Sequence, residues 1–338
     1  MGIKEVAKLA GVSPSTVSRV VNSGDINAAS SETQAKIWNA VHALGYVPNE
    51  NAQKLKKNNE SVSQVSMDID CVYSRSVGTE IDPFFVTMMH AVEVEAFSHG
   101  YHLRYQYSAA DMIAGKIHLP SYDVSSAVVL GRLEPETFMV LKSRYKNIVY
   151  VGLQISDLEI DQVVSNGYKA TYECVKYLHS LGHNLICYLG ETENEQRFDA
   201  FKVAMAELIG NNVTPIIANS SFSPSSGYDS ISRLLDEKVK FTSILCSNDI
   251  LAVGALRALK EHGLKVPDDI SIIGINDMEM VRYLDPMLTA IHIHIEELGK
   301  HAAKLLIDRI NGGHKLPMKI IIPYSLIKRD SCGPAKIK

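Results

Sequence analysis

The chain has 338 residues, 46% of them apolar and 21% charged, with a net charge of −4. That length exceeds one small core and suits two or three domains, and no run of about 18 apolar residues marks a membrane span. The opening MGIKEVAKLAG interleaves charges with its apolar residues, which argues against a secretory signal, and Val6 stands where a myristoylation motif requires Ser or Thr. A cytoplasmic location is expected. None of the five cysteines, Cys71, Cys174, Cys187, Cys246 and Cys332, sits in a C-x-x-C pair, so buried reduced thiols are expected, with no metal and no disulfide.

Charge is unevenly spread. Residues 1–58 hold seven Lys/Arg against four Asp/Glu, a charge of +3, which leaves −7 for the remainder. A cationic head on an anionic body draws the head to phosphate and keeps the body off it. In chain order, IKEVAKLAG puts Ile3, Val6, Ala7 and Ala10 at helical spacing, stopped by Gly11. Ser13 is the expected cap of a second helix that begins with Pro14, where a missing N–H costs nothing. Val17, Val20 and Val21 form its apolar stripe, and Thr16, Ser18, Arg19 and Asn22 fall largely outside it. The third helix begins in SSETQAKIWNAVHALG. Its cap is Ser30 or Ser31, the latter closing a capping box with Gln34, and Ile37, Val41 and Leu44 supply its buried face. Two short helices joined by a tight glycine turn and braced by a third make a helix-turn-helix. A generic three-helix bundle is the alternative, but it leaves the short, polar second helix without a purpose.

YVPNENAQKLKKNNES follows. Pro48 ends the headpiece, and Asn49 can cap a helix reaching about Lys57. So short a helix is marginal alone in water and needs a partner to form. A plain linker is the alternative.

The body alternates apolar runs with helical patterns. Strands are expected at NIVYVGL, NLICYLG, TPIIANS, FTSILCSND and ISIIGIND, with a polar, irregular first strand in VSMDIDCVYSRSVG. Helices are expected in KATYECVKYLHSLGH, RFDAFKVAMAELIG and DILAVGALRALKEHG. Such alternation implies doubly wound parallel sheets, whose ligands sit beyond the carboxyl ends of the strands. Asn248 and Asp249 follow TSILCS, Asn276 and Asp277 follow ISIIGI, and Arg197 opens the helix after LICYLGETENEQ. Phe84 and Phe85 in EIDPFF begin the first core helix, and Phe222 lies in NSSFSPSSGYDS. Each has a plainer use: the Asn and Asp residues as helix caps, Arg197 in a structural ion pair, the phenylalanines as core.

IKEVAKLAGVSPSTVSRVVN and ETQAKIWNAVHALGYVPNENAQKLKK resemble, at nearly every position from Ile3 to Lys57, the DNA-binding region of the lactose-repressor/galactose-repressor family of bacterial transcription regulators. The resemblance continues through the body. EIDPFF, KNIVYVGL and IIPYSLIKRDS look like the galactose-repressor branch of Gram-positive bacteria. It implies an all-α helix-turn-helix headpiece over 1–47, a hinge helix or linker over 48–58, and an α/β effector-binding and dimerisation core over 59–338. That core would hold two doubly wound parallel-sheet subdomains of the periplasmic-binding-protein kind, one about 59–164 plus 294–323, the other about 165–293 plus 324–338.

The resemblance further implies that the helix starting at Ser13 enters the major groove of a pseudo-palindromic operator. Pro14, Ser15 and Arg19 would contact bases, while Ser13, Thr16, Ser18 and Asn22 hold phosphates. In the connector, Asn49 caps, Ala52 takes the close helix–helix contact and Leu55 wedges into the minor groove. In the core, Arg197, Asn248 and Asp277 would hydrogen-bond a sugar, with Phe84, Phe85 and Phe222 on its apolar face. Glu191 and Glu193 replace residues that grip the ligand in purine-responsive relatives, which argues against a purine or phosphorylated effector. No leucine heptad follows IIPYSLIKRDSCGPAKIK, so a homodimer is expected.

The function so implied is repression of a sugar-utilisation operon, for galactose or a related sugar, relieved when sugar closes the core cleft. A corepressor-dependent or activating regulator is the alternative. An enzyme is disfavoured: no G-x-G-x-x-G follows a strand, and no P-loop, G-x-S-x-G elbow or H-E-x-x-H occurs. His292 and His294 share one face of a strand-like segment without metal-ligand spacing, so neither metal nor cofactor is expected. A sugar-binding transport protein is the remaining rival, opposed by the attached headpiece.

Overall fold

The computed structural model describes residues 3–23, 29–44, 67–74, 82–118, 124–211 and 213–336. The chain divides into two compact units, Met1–Gln64 and Val65–Lys338. The connector residues Asn49, Ala52 and Leu55 lie outside the described residues.

In the first unit α1 (Ile3–Ala10), α2 (Pro14–Ser23) and α3 (Ser31–Leu44) close on a common core of Val6, Ala7, Val17, Val20, Ile37, Ala40 and Val41. Ser13 caps α2, its Oγ accepting from the Thr16 N–H at 3.1 Å. Ser30, not Ser31, caps α3, accepting from the Thr33 N–H at 3.3 Å. Gln34 closes no capping box; its Nε2 donates to the Ala29 carbonyl at 2.9 Å.

The second unit holds two six-stranded sheets of the same strand order. One runs β11 (Lys319–Ile322), β5 (Asp161–Ser165), β4 (Asn147–Gly152), β3 (Ser126–Leu130), β1 (Asp68–Tyr73), β2 (His102–Ser108), all parallel. The other runs β12 (Tyr324–Ile327), β10 (Thr289–Ile293), β9 (Ser271–Asn276), β8 (Ser243–Cys246), β6 (Ile186–Gly190), β7 (Ile216–Asn219), with only β12 antiparallel. Between the strands lie α4 (Pro83–Ser98), α5 (Ala109–Ile113), α6 (Pro135–Arg144), α7 (Gly167–Ser180), α8 (Gln196–Leu208), α9 (Pro224–Asp236), α10 (Asp249–Glu261) and α11 (Ile295–Ile310). Helices cover both faces, so β3, β5, β6, β8 and β9 are buried at every residue. That is why β6, β8 and β9 read as apolar runs in the sequence and not as alternations, whereas β5 buries the polar Asp161 and Gln162. The chain passes between the two halves at 165–167, 293–295 and 322–324.

The polar first strand has a physical explanation. Asp70 is buried, and its Oδ2 accepts from the Tyr145 hydroxyl at 2.5 Å, which in turn lies 2.6 Å from the Tyr107 hydroxyl. Burial raises the Asp70 carboxyl above its ordinary value. Asp68 instead pairs with Arg104 at 2.6 Å. The five cysteines are free, and burial pushes Cys71, Cys187 and Cys332 up to about 12. Among the described residues, no helix is long and apolar enough to cross a membrane.

Candidate functional site

The headpiece presents a cluster of hydroxyls at the start of α2. Ser13 Oγ lies 2.7 Å from Ser15 Oγ and 2.8 Å from Thr16 Oγ1. Ser13, Pro14, Ser15 and Arg19 are exposed, while Thr16 and Ser18 are half-buried. Val17 and Val20 on the opposite face fix the helix against α1 and α3. An exposed helix start with hydroxyls and one guanidinium on its outer face suits phosphate and base-edge contacts. Asn22 lies on α2, where its backbone is helical.

In the core, a cleft opens where the carboxyl ends of the two sheets face each other. From the first half come Phe84 and Phe85, with Gly131 and Arg132 just past β3 and Tyr150 from β4. Asp82 also lines the cleft, and its Oδ1 caps α4 by accepting from the Phe84 N–H at 2.9 Å. Phe84 and Phe85 meet edge to face with ring centroids 5.4 Å apart.

From the second half come Glu195, Gln196 and Arg197 at the start of α8, Phe222, Asn248 and Asn276. Arg197 grips Glu195 with two prongs, Nε to Oε1 and Nη2 to Oε2, both 2.8 Å. Its Nη1 donates to the Ser247 carbonyl at 2.5 Å, and its guanidinium lies 5.0 Å from the centre of the Phe222 ring. Asn248 Oδ1 caps α10, accepting from the Leu251 N–H at 3.0 Å.

Two straps cross between the halves. Arg132 Nη2 donates to Glu195 Oε2 at 2.7 Å and to Glu191 Oε2 at 3.1 Å, and its Nη1 to the Glu193 carbonyl at 2.9 Å. Gln196 exchanges hydrogen bonds with the Ile155 backbone, accepting at 3.2 Å and donating at 2.9 Å. Burial alone would raise the Glu195 carboxyl, but the Arg197 and Arg132 guanidiniums hold it down at about 2.

Two expectations are corrected here. Asp277 does not line this cleft. Its buried carboxylate pairs with Arg329 at 2.6 Å and His292 at 3.1 Å, beside a neighbouring depression. Asn276 lines the cleft instead. The cause is local backbone: Asn276 and Asp277 both have positive φ, 121° and 57°, at the end of β9. Such angles re-aim successive side chains, and Asn and Asp tolerate them better than most residues. Second, neither Glu191 nor Glu193 lines the cleft, and Glu191 is neutralised by Arg132, so these acids carry no argument against a purine. Phe84, Phe85, Arg197, Phe222 and Asn248 are brought together as expected from their strand ends. Sequence reasoning missed Arg132, Tyr150, Glu195 and Gln196, and named Asn276 only as a strand-end residue beside Asp277, without a ligand role. The signal for Arg132 and Asn276 was present, since each lies at or just past the end of an apolar run, but nothing local distinguished them from their neighbours.

A helix-turn-helix unit followed by two parallel sheets around a polar, aromatic-lined cleft defines a ligand-responsive DNA-binding regulator. Residues 2–49 match the bacterial regulatory proteins of the lacI family, and residues 175–332 match the periplasmic binding protein-like domain. A repressor named PurR from Mannheimia succiniciproducens is 32% identical over 326 residues, covering 91% of each chain. The structure of the Lac repressor dimer bound to operator and the anti-inducer ONPF superimposes with a TM-score of 0.77 at 24% identity, covering 98% of both chains. That of a LacI family regulator from Enterococcus faecium with bound ribose has a TM-score of 0.67 at 27% identity, covering 80% of this chain and all of that one. The chain belongs to the LacI family, as a DNA-binding transcriptional repressor with an effector-binding core.

Proposed function

We propose that this repressor controls a sugar-utilisation operon and leaves a pseudo-palindromic operator when a neutral sugar, galactose or a related one, occupies the cleft. The observation that carries the uncharged-effector part of this reading is charge balance. Among the described residues, the two guanidiniums that line the cleft, Arg132 and Arg197, are both paired to Glu195, and Arg132 also to Glu191. An anionic effector would have to break these pairs to find a cation, at the cost of a buried carboxylate left alone. A neutral polyol needs no such exchange. Phe85 and Phe222 offer apolar faces suited to ring C–H groups. The ribose bound to the Enterococcus faecium regulator supports the same class of ligand.

The coupling in this reading runs through the connector over 48–58. Sugar closes the cleft and turns the halves, two connectors in a homodimer can no longer pair over the operator centre, and the contacts of Asn49, Ala52 and Leu55 with bent DNA are lost. Exposed Val86, Val94 and Phe97 along α4 supply an apolar stripe for the second subunit. Ser13, Pro14, Ser15, Thr16, Ser18, Arg19 and Asn22 read and hold the duplex. Coupling of this kind is typically about 1–3 kcal/mol per site.

The test uses the full chain and a duplex selected by it from a random pool. D-galactose, D-ribose or cellobiose should raise the thermal midpoint and weaken duplex binding at least about fivefold. A purine-responsive repressor is the second reading, favoured by the relatives named PurR. A midpoint raised by hypoxanthine or guanine and by none of the sugars would decide for it.

A further inference from the structure

The two halves of the core carry the same short device. β4 ends in Tyr150–Val151–Gly152, and β6 in Tyr188–Leu189–Gly190. Both tyrosines are buried, at 1% and 0% exposure. In each case the glycine leaves room at the tyrosine hydroxyl: a Cβ on Gly152 would lie 2.8 Å from the Tyr150 oxygen, and one on Gly190 would lie 3.1 Å from that of Tyr188.

The two hydroxyls then differ. Tyr188 donates to the Glu191 carbonyl at 3.2 Å. Tyr150 has no hydrogen-bond partner, and its residue lines the cleft next to the Arg132–Glu195–Arg197 group. The Gln154 N–H is directed at its oxygen, but no acceptor takes the Tyr150 O–H itself. Burying a hydroxyl unpaired is unfavourable, and a phenylalanine would fill the same volume without that penalty. Burial also raises its pKa, so the group stays a neutral hydroxyl, able both to donate and to accept. The other orphaned polar atom among the cleft-lining residues is Oδ1 of Asn276, from the opposite half.

We propose that the Tyr150 hydroxyl is an effector-binding group that hydrogen-bonds a polar atom of the ligand, as the first half's counterpart to Asn276. The inference rests on the cleft being the effector site. It explains why an unpaired polar atom is kept at the end of an otherwise apolar strand: its partner arrives with the ligand.

Tyr150→Phe in the full chain tests it with two readouts of opposite sign. Without ligand, the thermal midpoint should stay level or rise; a lower midpoint would mean the hydroxyl is already bonded within the protein, and the proposal falls. In calorimetric titrations with D-galactose, D-ribose, cellobiose and hypoxanthine, the compound that binds the unaltered protein should bind the variant about 5- to 30-fold more weakly. An equal Kd overturns Tyr150 and leaves the sugar reading standing. Binding of hypoxanthine alone, weakened by the substitution, overturns the sugar reading and leaves Tyr150 standing. If none of the four binds the unaltered protein, both fall.

Discussion

Arg132 of the first half places its Nη2 2.7 Å from Oε2 of Glu195 in the second, across the cleft. Glu195 also takes the two-pronged grip of Arg197, so one buried carboxylate holds guanidiniums from both halves. Arg132→Gln removes the crossing charge but leaves Arg197 in place. The core should lose about 1–3 kcal/mol, read from urea unfolding of the full chain, because the carboxylate keeps only one of its partners. Hydrogen exchange over residues 191–196 should speed up in the absence of ligand. Unchanged exchange there would mean that the strap does not restrain the loop.

Asp277 and Asn276 are adjacent in sequence but face different surroundings. Asp277→Asn should destabilise the core by about 2–4 kcal/mol, since Arg329 and His292 lose their buried partner. Effector affinity should change little. Asn276→Ala should do the reverse, leaving the unfolding midpoint near its original value and weakening the effector about tenfold. Loss of affinity in the Asp277 variant at intact stability would return that carboxylate to the cleft.

Acid stability should decline in two stages. His183 is buried among Thr242, Ser271 and the Gly333 carbonyl, and burial lowers its pKa from 6.5. A depressed folded value means that its contribution is present above pH 6.5 and is lost as pH falls through the folded value. Glu195, lowered from 4.5 to about 2, follows the same sign in a more acidic window: its contribution is full above pH 4.5 and is lost towards pH 2. Unfolding free energies at pH 7.5 and 5.5 should therefore fall more for the unaltered protein than for His183→Gln. Parallel pH profiles would assign the decline to other groups.

On the headpiece, Arg19 is exposed on α2 among hydroxyl-bearing neighbours. Arg19→Ala should lower affinity for the selected duplex more than for random DNA, by about 1–3 kcal/mol of discrimination, measured by anisotropy at one fixed salt concentration. Equal losses on both duplexes would make Arg19 a phosphate contact only.

The sequence alone determined the headpiece helices and part of the core's strands and helices. α1 to α3 and strands such as β6, β8 and β9 follow from local rules: apolar spacing, Ser and Asn caps, and glycine stops over a few residues. It also pointed to Arg197, Phe222 and Asn248, because each opens or precedes a helix directly after a strand or loop that the pattern makes visible. The tertiary structure alone decided which strand ends face one another. Arg132 meets Glu195 across 63 positions of chain, and Tyr150 lines the same cleft as Asn276, through strand orders that no window of sequence contains. It also decided the difference between Asn276 and Asp277, which two positive φ angles re-aim after the regular strand ends. Periodicity says which face a residue takes while the backbone is regular; at the strand ends where ligands bind, the backbone is no longer regular, and only the packed fold fixes the direction.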